Sequence, residues 1–368
     1  MACATGLVLV MGMSATVFAA SQSPATGTEF TFAKDLKGIN DSISSVSGPG
    51  VTFEYAVAPQ APNADNGGLT ITDSQGHSAT VSTGPEGGLT FKQNANTVSY
   101  PTSEMISASP EGASNISESK PREVTLVANI DAFKSGTPAV IQPGIYRYKV
   151  TETTDPSTPP AGVTNPSNTT DTTRYVDVYV TTEGISGISM HNGNLTSGKQ
   201  AFNAATYTTK NVAVKKVVKG GMADPAATFA FTATVDGQAG AYYTGSAESE
   251  ATTLQAAGTT SVSATLGNDQ ELWICGLNPD AEVAFSEVNT YGGNTYEAEY
   301  KVGSADPTKG VSMAKANLAD NTVVTFTNTL DTVSPTGVIM RWGILAAAFI
   351  ALIAMFAINR KSKKANQA

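Results

Sequence analysis

Three side chains in the C-terminal half of the chain could together form an amide bond inside the protein. They are Lys216, Glu287 and Asn328, and each lies in phase with apolar neighbours. Burial disfavours charge, so it lowers the pKa of a lysine and raises that of a glutamate. A neutral amine could then attack the asparagine side-chain carbonyl while a protonated glutamate polarises it and shuttles protons, and ammonia would leave. A rigid core would supply the effective concentration that an unreactive amide requires.

The ordinary alternative is that the lysine and the glutamate lie at strand ends and reach solvent. For any single residue this is the default, because charged side chains are almost never fully buried without partners. The set is harder to dismiss, since a lysine, a glutamate and an asparagine occur in three separate segments and each faces the same way as apolar residues. We therefore predict a buried Lys–Glu–Asn cluster.

The segments that carry these residues alternate between apolar and polar positions. Val212 and Val214 share a face with Lys216, and residues 282–287 and 324–328 alternate in the same way. Successive side chains of a strand point to opposite faces, so this pattern predicts strands whose reactive residues face the core.

The N-terminal half repeats the pattern. Phe30 and Phe32 share a face with Lys34, and residues 144–152 alternate strictly and end at Glu152. Other predicted strands, separated by Gly, Pro and Asn turns, are 69–72, 79–82, 89–92, 124–130 and 175–180, with a loop at 155–173. The repetition predicts an all-β protein made of two tandem immunoglobulin-like β-sandwich domains.

The composition is typical of an extracellular β protein. Only 14% of the 368 residues are charged, the formal net charge is -9, and no basic patch suggests nucleic acid. Cys3 lies in a segment that we expect to be removed, which leaves Cys275 alone and predicts no internal disulfide. His77 and His191 show no metal-ligand spacing. We expect no metal, no cofactor and no enzymatic activity beyond autocatalytic cross-linking.

The N-terminus has the features of a secretory signal peptide. Residues 6–20 are apolar and rich in small residues, and a small-residue cleavage site predicts a cut near Ala19 or Ala20. The first basic residue is Lys34, so we expect that translation begins upstream. The alternative is an N-terminal membrane anchor, which the short apolar run and its small-residue end disfavour.

The C-terminus combines three features in a fixed order. Residues 333–337 read Val-Ser-Pro-Thr-Gly, residues 342–358 contain no charge, and basic residues follow from 360. This arrangement is long enough to span a bilayer and predicts a basic cytoplasmic end. It resembles a Gram-positive cell-wall sorting signal, which implies that a sortase cuts between Thr336 and Gly337. A plain membrane anchor is the alternative.

The second half also resembles the streptococcal backbone-pilin family. The resemblance rests on the Val-Lys-Lys run that ends at Lys216, on Ser286-Glu287 and on the Phe-Thr-Asn run that ends at Asn328, and it extends over most of residues 27–337. It implies CnaB-type domains that cross-link themselves, with a Lys216–Asn328 isopeptide bond promoted by Glu287.

The first half matches that family at Lys34 and Glu152, which implies a second isopeptide bond. Counting back from the Val-Lys-Lys run, the asparagine position of the family falls on Ala205. Asn203 is two residues earlier and keeps the same face, so we take it as the candidate partner of Lys34. Because the family's asparagine position holds alanine here, the sequence leaves open whether this bond is shifted or absent.

Polymerisation by a sortase requires an acceptor amine on each subunit. Lys199 lies after a Gly and Asn turn just before the last strand of the first domain, where the family has its acceptor, and Lys210 is the competitor. The resemblance implies a pilus joined from Thr336 of one copy to Lys199 of the next. The implied partners are a sortase, further copies of the chain, peptidoglycan and minor pilins, and the implied location is the cell wall.

We expect six segments: a signal peptide (1–20), two pilin β-sandwich domains (27–209 and 210–331), a sortase motif (333–337), a transmembrane segment (338–359) and a basic tail (360–368). Two function classes remain open, a polymerising pilus shaft protein and a single wall-anchored adhesin that binds a host ligand. A wall-anchored hydrolase is a third, but no phosphate-binding loop or nucleophile elbow is present.

Overall fold

The computed structural model of the chain consists almost entirely of β-strands. It describes residues 28–72, 78–113, 122–153, 160–166, 168–195, 202–236, 241–244, 252–253 and 260–331. No sheet among these residues combines a strand that precedes residue 209 with one that follows it. We call the two groups of sheets the first and the second unit.

The strands of the first unit are β1 (Glu29–Lys34), β2 (Leu36–Ile39), β3 (Ser45–Ser47), β4 (Val51–Pro59), β5 (Thr70–Thr72), β6 (Ser78–Thr83), β7 (Leu89–Phe91), β8 (Thr97–Tyr100), β9 (Met105–Ser109), β10 (Arg122–Ala128), β11 (Lys134–Ser135), β12 (Val140–Ile141), β13 (Gly144–Glu152), β14 (Val163–Thr164), β15 (Thr173–Thr181), β16 (Gly184–His191) and β17 (Ala205–Thr208). A short helix, α1 (Thr169–Thr172), precedes β15, and 3-10 turns occupy Ala64–Asn66, Lys92–Asn94 and Ile130–Phe133.

The strands of the second unit are β18 (Lys210–Lys219), β19 (Thr228–Asp236), β20 (Ala241–Thr244), β21 (Thr252–Thr253), β22 (Thr260–Gly267), β23 (Glu271–Leu277), β24 (Glu282–Glu287), β25 (Thr290–Tyr291), β26 (Asn294–Thr295), β27 (Glu297–Val302), β28 (Thr308–Lys309), β29 (Ser312–Ala316) and β30 (Thr322–Thr329).

Three sheets enclose the core of the first unit. Their strand orders are β16-β15-β13-β4-β8, extended by β6 and β5, then β1-β10-β7, and β14-β17-β2-β9-β3. Alternate residues of each strand face inward, as in β1, where Phe30, Phe32 and Lys34 are buried and the residues between them are exposed or half-buried. Most of the apolar members of this alternation form one core, and Ile71, Val81 and Ile145 form a separate small cluster.

The second unit packs a sheet of order β21-β20-β23-β18-β30-β27-β28 against one of order β22-β19-β24-β29. Its first and last strands, β18 and β30, are parallel neighbours, paired from Val212 with Thr322 to Lys219 with Thr329. The all-β, immunoglobulin-like fold class is thereby confirmed. The predicted signal peptide, sortase motif and transmembrane segment lie outside the described residues.

The predicted loop at 155–173 is wrong in part, because it contains β14 and α1. Val163 of β14 pairs with Tyr207 of β17, and Asn168 caps α1 by accepting a hydrogen bond from the backbone N–H of Asp171 at 2.9 Å. A two-residue strand whose partner lies far along the chain leaves no periodicity in the sequence, so the pairing was not predictable from local pattern.

Polar and apolar contacts join the two units. The Asn40 amide donates to Oγ1 of Thr209 at 2.9 Å and to Oδ1 of Asn211 at 2.8 Å. Cys275 of the second unit is buried and packs against the core of the first. No helix within the described ranges is long and apolar enough to cross a membrane.

Candidate functional site

Three strands of the second unit bring Lys216, Glu287 and Asn328 into one buried cluster. Lys216 lies on β18, and Asn328 lies on the neighbouring β30, paired with Val218. Since residues two apart on a strand share a face, Lys216 and Asn328 are diagonal neighbours on the inner face of the same sheet. Glu287 enters from the facing sheet, where β24 pairs with β19.

An ion pair links the two charged residues across the core. Lys216 Nζ lies 2.7 Å from Oε2 of Glu287, and both side chains are fully buried. The amine also lies 4.5 Å from the centroid of the Phe229 ring and 5.7 Å from that of Phe231. These aromatic rings contribute to the desolvation of the amine.

Burial shifts both groups toward their neutral forms. Desolvation lowers the pKa of Lys216 from 10.5 to about 8, although the neighbouring Glu287 opposes the shift. Desolvation also raises the pKa of Glu287, opposed by the charge and hydrogen bond of Lys216 and, least strongly, by the nearby Asn328 side chain. Moving one proton from the amine to the carboxyl group would produce the nucleophile and the general acid together, which is the pairing that amide exchange needs.

The Asn328 side chain is buried without a hydrogen-bond partner among the described residues. Both its Oδ1 and its Nδ2 lack one, and so does Oε1 of Glu287. An unsatisfied buried polar group costs about 1–3 kcal/mol. Three such atoms beside a buried lysine make the unlinked cluster an unfavourable arrangement.

A second lysine–glutamate pair is buried in the first unit. Lys34 ends β1 and Glu152 ends β13, and Nζ of Lys34 lies 2.9 Å from Oε2 of Glu152. The amine lies 4.6 Å from the centroid of the Phe53 ring, and the Tyr55 hydroxyl donates to Oε2 of Glu152 at 3.2 Å. Desolvation lowers the pKa of Lys34, opposed by Glu152. Each of the two clusters therefore contains a buried lysine paired with a glutamate and packed against aromatic rings.

The asparagine side chain at this first cluster belongs to Asn165, which follows β14. Lys34 Nζ donates to Oδ1 of Asn165 at 2.9 Å, and Nδ2 of Asn165 donates to Oε1 of Glu152. Asn203, the residue proposed from the sequence, contacts Lys34 only through its main-chain oxygen, also at 2.9 Å. Sequence reasoning missed Asn165 because it lies in the segment predicted to be a loop.

The remaining predicted residues fall into two groups. Lys199, Thr336 and Gly337 lie outside the described residues. Lys210, the competing acceptor, is buried, and its amine donates to the main-chain oxygens of Pro279 at 2.8 Å and Ala281 at 2.9 Å and to Asn317. An amine held by three acceptors inside the protein is poorly placed to attack an external thioester.

A separate cluster of buried polar side chains in the first unit is held together by hydrogen bonds and has a structural role. Arg147 forms two 2.8 Å hydrogen bonds with Asp177, and His191 Nε2 lies 3.1 Å from Oδ2 of the same carboxylate. The backbone N–H of Gly193 donates to Nδ1 of His191 at 3.1 Å, so both ring nitrogens have partners inside the protein. The described residues contain no group of His, Cys, Asp and Glu side chains that could hold a metal ion.

Comparisons with known proteins support the fold. A family described as a domain of unknown function, DUF7601, matches residues 210–330, which is close to the second unit. No curated protein matches the sequence significantly. The solved structure of the major pilin from Streptococcus pyogenes superposes with a TM-score of 0.51 at 16% identity, covering 84% of this chain and 100% of that one.

A second solved structure, of the major pilin protein T-13 from Streptococcus pyogenes, gives a similar result. It is 17% identical, has a TM-score of 0.50, and covers 84% of this chain and 100% of the pilin. Over most of its length this chain therefore has the fold of the streptococcal major pilins.

Proposed function

We propose that this protein is the repeating subunit of a covalently polymerised pilus on the surface of a Gram-positive cell. The observation that carries the proposal is the buried Lys216–Glu287–Asn328 cluster with its unpartnered amide. A pilus shaft needs subunits that resist tension and proteases, and the second unit lacks disulfides within its described residues. A bond between its first and last strands would tie together the two ends across which tension acts.

In the proposed reaction, Lys216 loses a proton to Glu287 and its neutral amine attacks Cγ of Asn328. The protonated glutamate polarises the side-chain carbonyl and then delivers a proton to the departing nitrogen. Glu287 then takes the second proton from the attacking nitrogen and passes it to the leaving ammonia. One C–N bond forms, one breaks, and one ammonia leaves as ammonium, so the product is a secondary amide and Glu287 is again a carboxylate. The rigid positions of β18, β24 and β30 supply the effective concentration for this attack.

Polymerisation is proposed from the C-terminal signal. A sortase cysteine cuts between Thr336 and Gly337 and holds Thr336 as a thioester until an amine of the next copy displaces it. Lys199 is the proposed acceptor, and the buried state of Lys210 supports this choice. Joining one end of a subunit to a different surface of the next is heterologous, so it does not close on itself and gives a filament. Peptidoglycan and minor pilins are the proposed further partners.

Gel analysis of cell-wall extracts tests this proposal. We expect a ladder of covalent polymers from cells that express the full chain. Thr336→Ala should abolish both the ladder and wall attachment, and Lys199→Ala should abolish the ladder while monomers remain anchored. Loss of the ladder in Lys210→Ala but not in Lys199→Ala would move the acceptor and leave the shaft role intact. A chain that is anchored but never forms a ladder would instead be a single wall-anchored adhesin.

A further inference from the structure

Two asparagines contact the amine of Lys34, but they present different atoms to it. Asn165 presents its side-chain Oδ1 at 2.9 Å, and Asn203 presents its main-chain oxygen at the same distance. Attack on a side-chain amide releases ammonia and leaves the chain intact. Attack on a main-chain carbonyl would break the chain, so the contact with Asn203 is a hydrogen bond that orients the amine.

Glu152 contacts both reacting groups of the Lys34–Asn165 pair. Its Oε2 lies 2.9 Å from Nζ of Lys34, and its Oε1 accepts a hydrogen bond from Nδ2 of Asn165. The nitrogen that must leave as ammonia, Nδ2 of Asn165, is therefore already hydrogen-bonded to the Glu152 carboxyl group that can protonate it. Geometry of this kind, with acid, nucleophile and leaving group in mutual contact, is what general acid–base catalysis requires.

The side chain of Asn203 is held away from the amine at both of its ends. Its Nδ2 donates to Asp171 of α1, and its Oδ1 accepts from Nη2 of Arg174 at 3.3 Å. Arg174 is itself fixed, because its Nη1 donates to the main-chain oxygens of Asp171 and Thr173 and its guanidinium lies 5.2 Å from the centroid of the Phe202 ring. Rotating the Asn203 amide toward Lys34 would break both of these hydrogen bonds.

We infer that the cross-link of the first unit joins Lys34 to Asn165, and that Asp171 and Arg174 act as positioning residues that exclude Asn203 from the reaction. The inference rests on the proposed cross-linking chemistry. Lys34 transfers a proton to Glu152, and the amine attacks Cγ of Asn165. Glu152 gives that proton to Nδ2, the Cγ–Nδ2 bond breaks, and Glu152 takes the remaining proton from the attacking nitrogen. The ammonia carries this proton away as ammonium, and Glu152 is again a carboxylate.

The resulting covalent ring runs from residue 34 to residue 165. It excludes β15 and β16, which a bond to Asn203 would place inside the ring, whereas β17 lies outside either ring. The link therefore ties β1 to the segment between β14 and α1 and not to the end of the first unit.

Trypsin separates the two candidates. Cleavage at Lys149 and Arg174 gives peptide 150–174 with Asn165, and cleavage at Lys199 and Lys210 gives peptide 200–210 with Asn203. In a digest of the full secreted chain, we expect the N-terminal peptide ending at Lys37 to be joined to peptide 150–174, one ammonia lighter than the sum. Fragment ions should place the link at Asn165 and not at Asn168, whose side chain caps α1. A link to peptide 200–210 would overturn the inference.

Two matched variants complete the test. Asn165→Ala should abolish the first link, and Asn203→Ala should retain it because only the main-chain oxygen of residue 203 contacts Lys34. The Lys216–Asn328 link of the second unit is the internal control for folding and for the chemistry. If that link forms and the first unit is unlinked in the unmodified chain, the inference is wrong and the proposed function stands. If neither link forms, the proposed cross-linking fails as a whole.

Discussion

The Lys216 amine and the Glu287 carboxylate lie 2.7 Å apart although their strands belong to different sheets. The contact therefore forms only after the two sheets of the second unit have packed together. Desolvation, which lowers the pKa of Lys216 and raises that of Glu287, begins at the same moment. The proposed chemistry of the cluster is thus conditional on folding, and we expect no cross-link in an unfolded chain.

Glu287→Gln should prevent the cross-link of the second unit. Without the carboxylate, desolvation lowers the pKa of Lys216 unopposed, so the amine is not the group that fails. The amide has no acidic proton, so it can neither polarise the Asn328 carbonyl nor protonate the departing nitrogen. Whole-protein mass spectrometry should show one ammonia more than in the unmodified chain. Glu282→Gln is the matched control, because it lies on the same strand but on the exposed side, 3.5 Å from Lys315. A Glu287→Gln protein with the unmodified mass loss would show that the carboxyl group is not required.

The contact between Lys210 and Asn317 is a natural comparison for that result. A lysine amine contacts an asparagine oxygen there too, but its hydrogen bonds in the described part of the chain go to two main-chain oxygens and this amide, and to no carboxyl group. We expect no bond at this pair. The unmodified chain should lack two molecules of ammonia and not three, and Asn317→Ala should leave that number unchanged.

Lys216→Met should lower the stability of the second unit. Methionine keeps the apolar volume of the lysine stem, and Glu287 can remain neutral beside it, so the main loss is the covalent link. A link that closes roughly 110 residues stabilises by about 4–5 kcal/mol, by analogy with disulfide loop entropy. The melting temperature of the second unit should fall, and proteases should cleave this unit more readily than in the unmodified chain.

Lys215→Met controls for this substitution, since Lys215 lies on the same strand and points to the other face. It should keep the melting temperature and protease resistance of the unmodified chain. Equal effects of the two substitutions would show that the cross-link has no structural role.

The buried Asp177 carboxylate predicts a loss of stability in acid. Burial opposes its ionisation, but hydrogen bonds from Arg147 and His191 hold its pKa below the ordinary 3.8. A carboxyl group with a lowered pKa in the folded state stabilises above its unfolded pKa and loses that contribution as the pH falls through the folded pKa. Stability of the first unit should therefore decline below a pH of about 4.

Asp177→Asn should remove this acid-dependent component and also destabilise the first unit at neutral pH. Removing one partner of a buried ion pair typically costs about 3–5 kcal/mol, because Arg147 is left charged and unpaired. Glu29→Gln, which breaks the exposed pair with Lys92, should cost less than about 1 kcal/mol. Denaturant titration at several pH values measures both effects, and a small loss for Asp177→Asn would contradict this account.

The sequence was sufficient to place the residues whose role depends on strand phase. Lys34, Glu152, Lys216, Glu287 and Asn328 are all buried because each shares a face with apolar neighbours. It was not sufficient for Asn165. That residue is positioned by the pairing of β14 with β17, across about forty residues, and no local periodicity encodes such a pairing.

Asn203 shows a second limit of predicting a site from the sequence pattern. Its spacing from Lys216 placed it near Lys34, and its main-chain oxygen does contact that amine. The direction of its side chain depends on hydrogen bonds to Asp171 and Arg174, which precede it by roughly thirty residues. Strand phase predicts a face, but competing side-chain partners decide where an amide points.

Single-molecule force spectroscopy, in which the protein is pulled by its two ends, should show which residues close the covalent ring of the first unit. With links at Lys34–Asn165 and Lys216–Asn328, tension bypasses both rings and acts only on the chain between 165 and 216. This segment of about 50 residues, including β15–β17, spans ~170 Å when fully extended at roughly 3.5 Å per residue, and its unfolding should release that length less the folded distance between its ends. A link at Asn203 would leave about 13 residues, which span at most ~45 Å and release less than that. Asn165→Ala should add the 34–165 ring to the released length, whereas Asn203→Ala should leave the long step unchanged. A short step in the unmodified chain would place the bond at the end of the first unit.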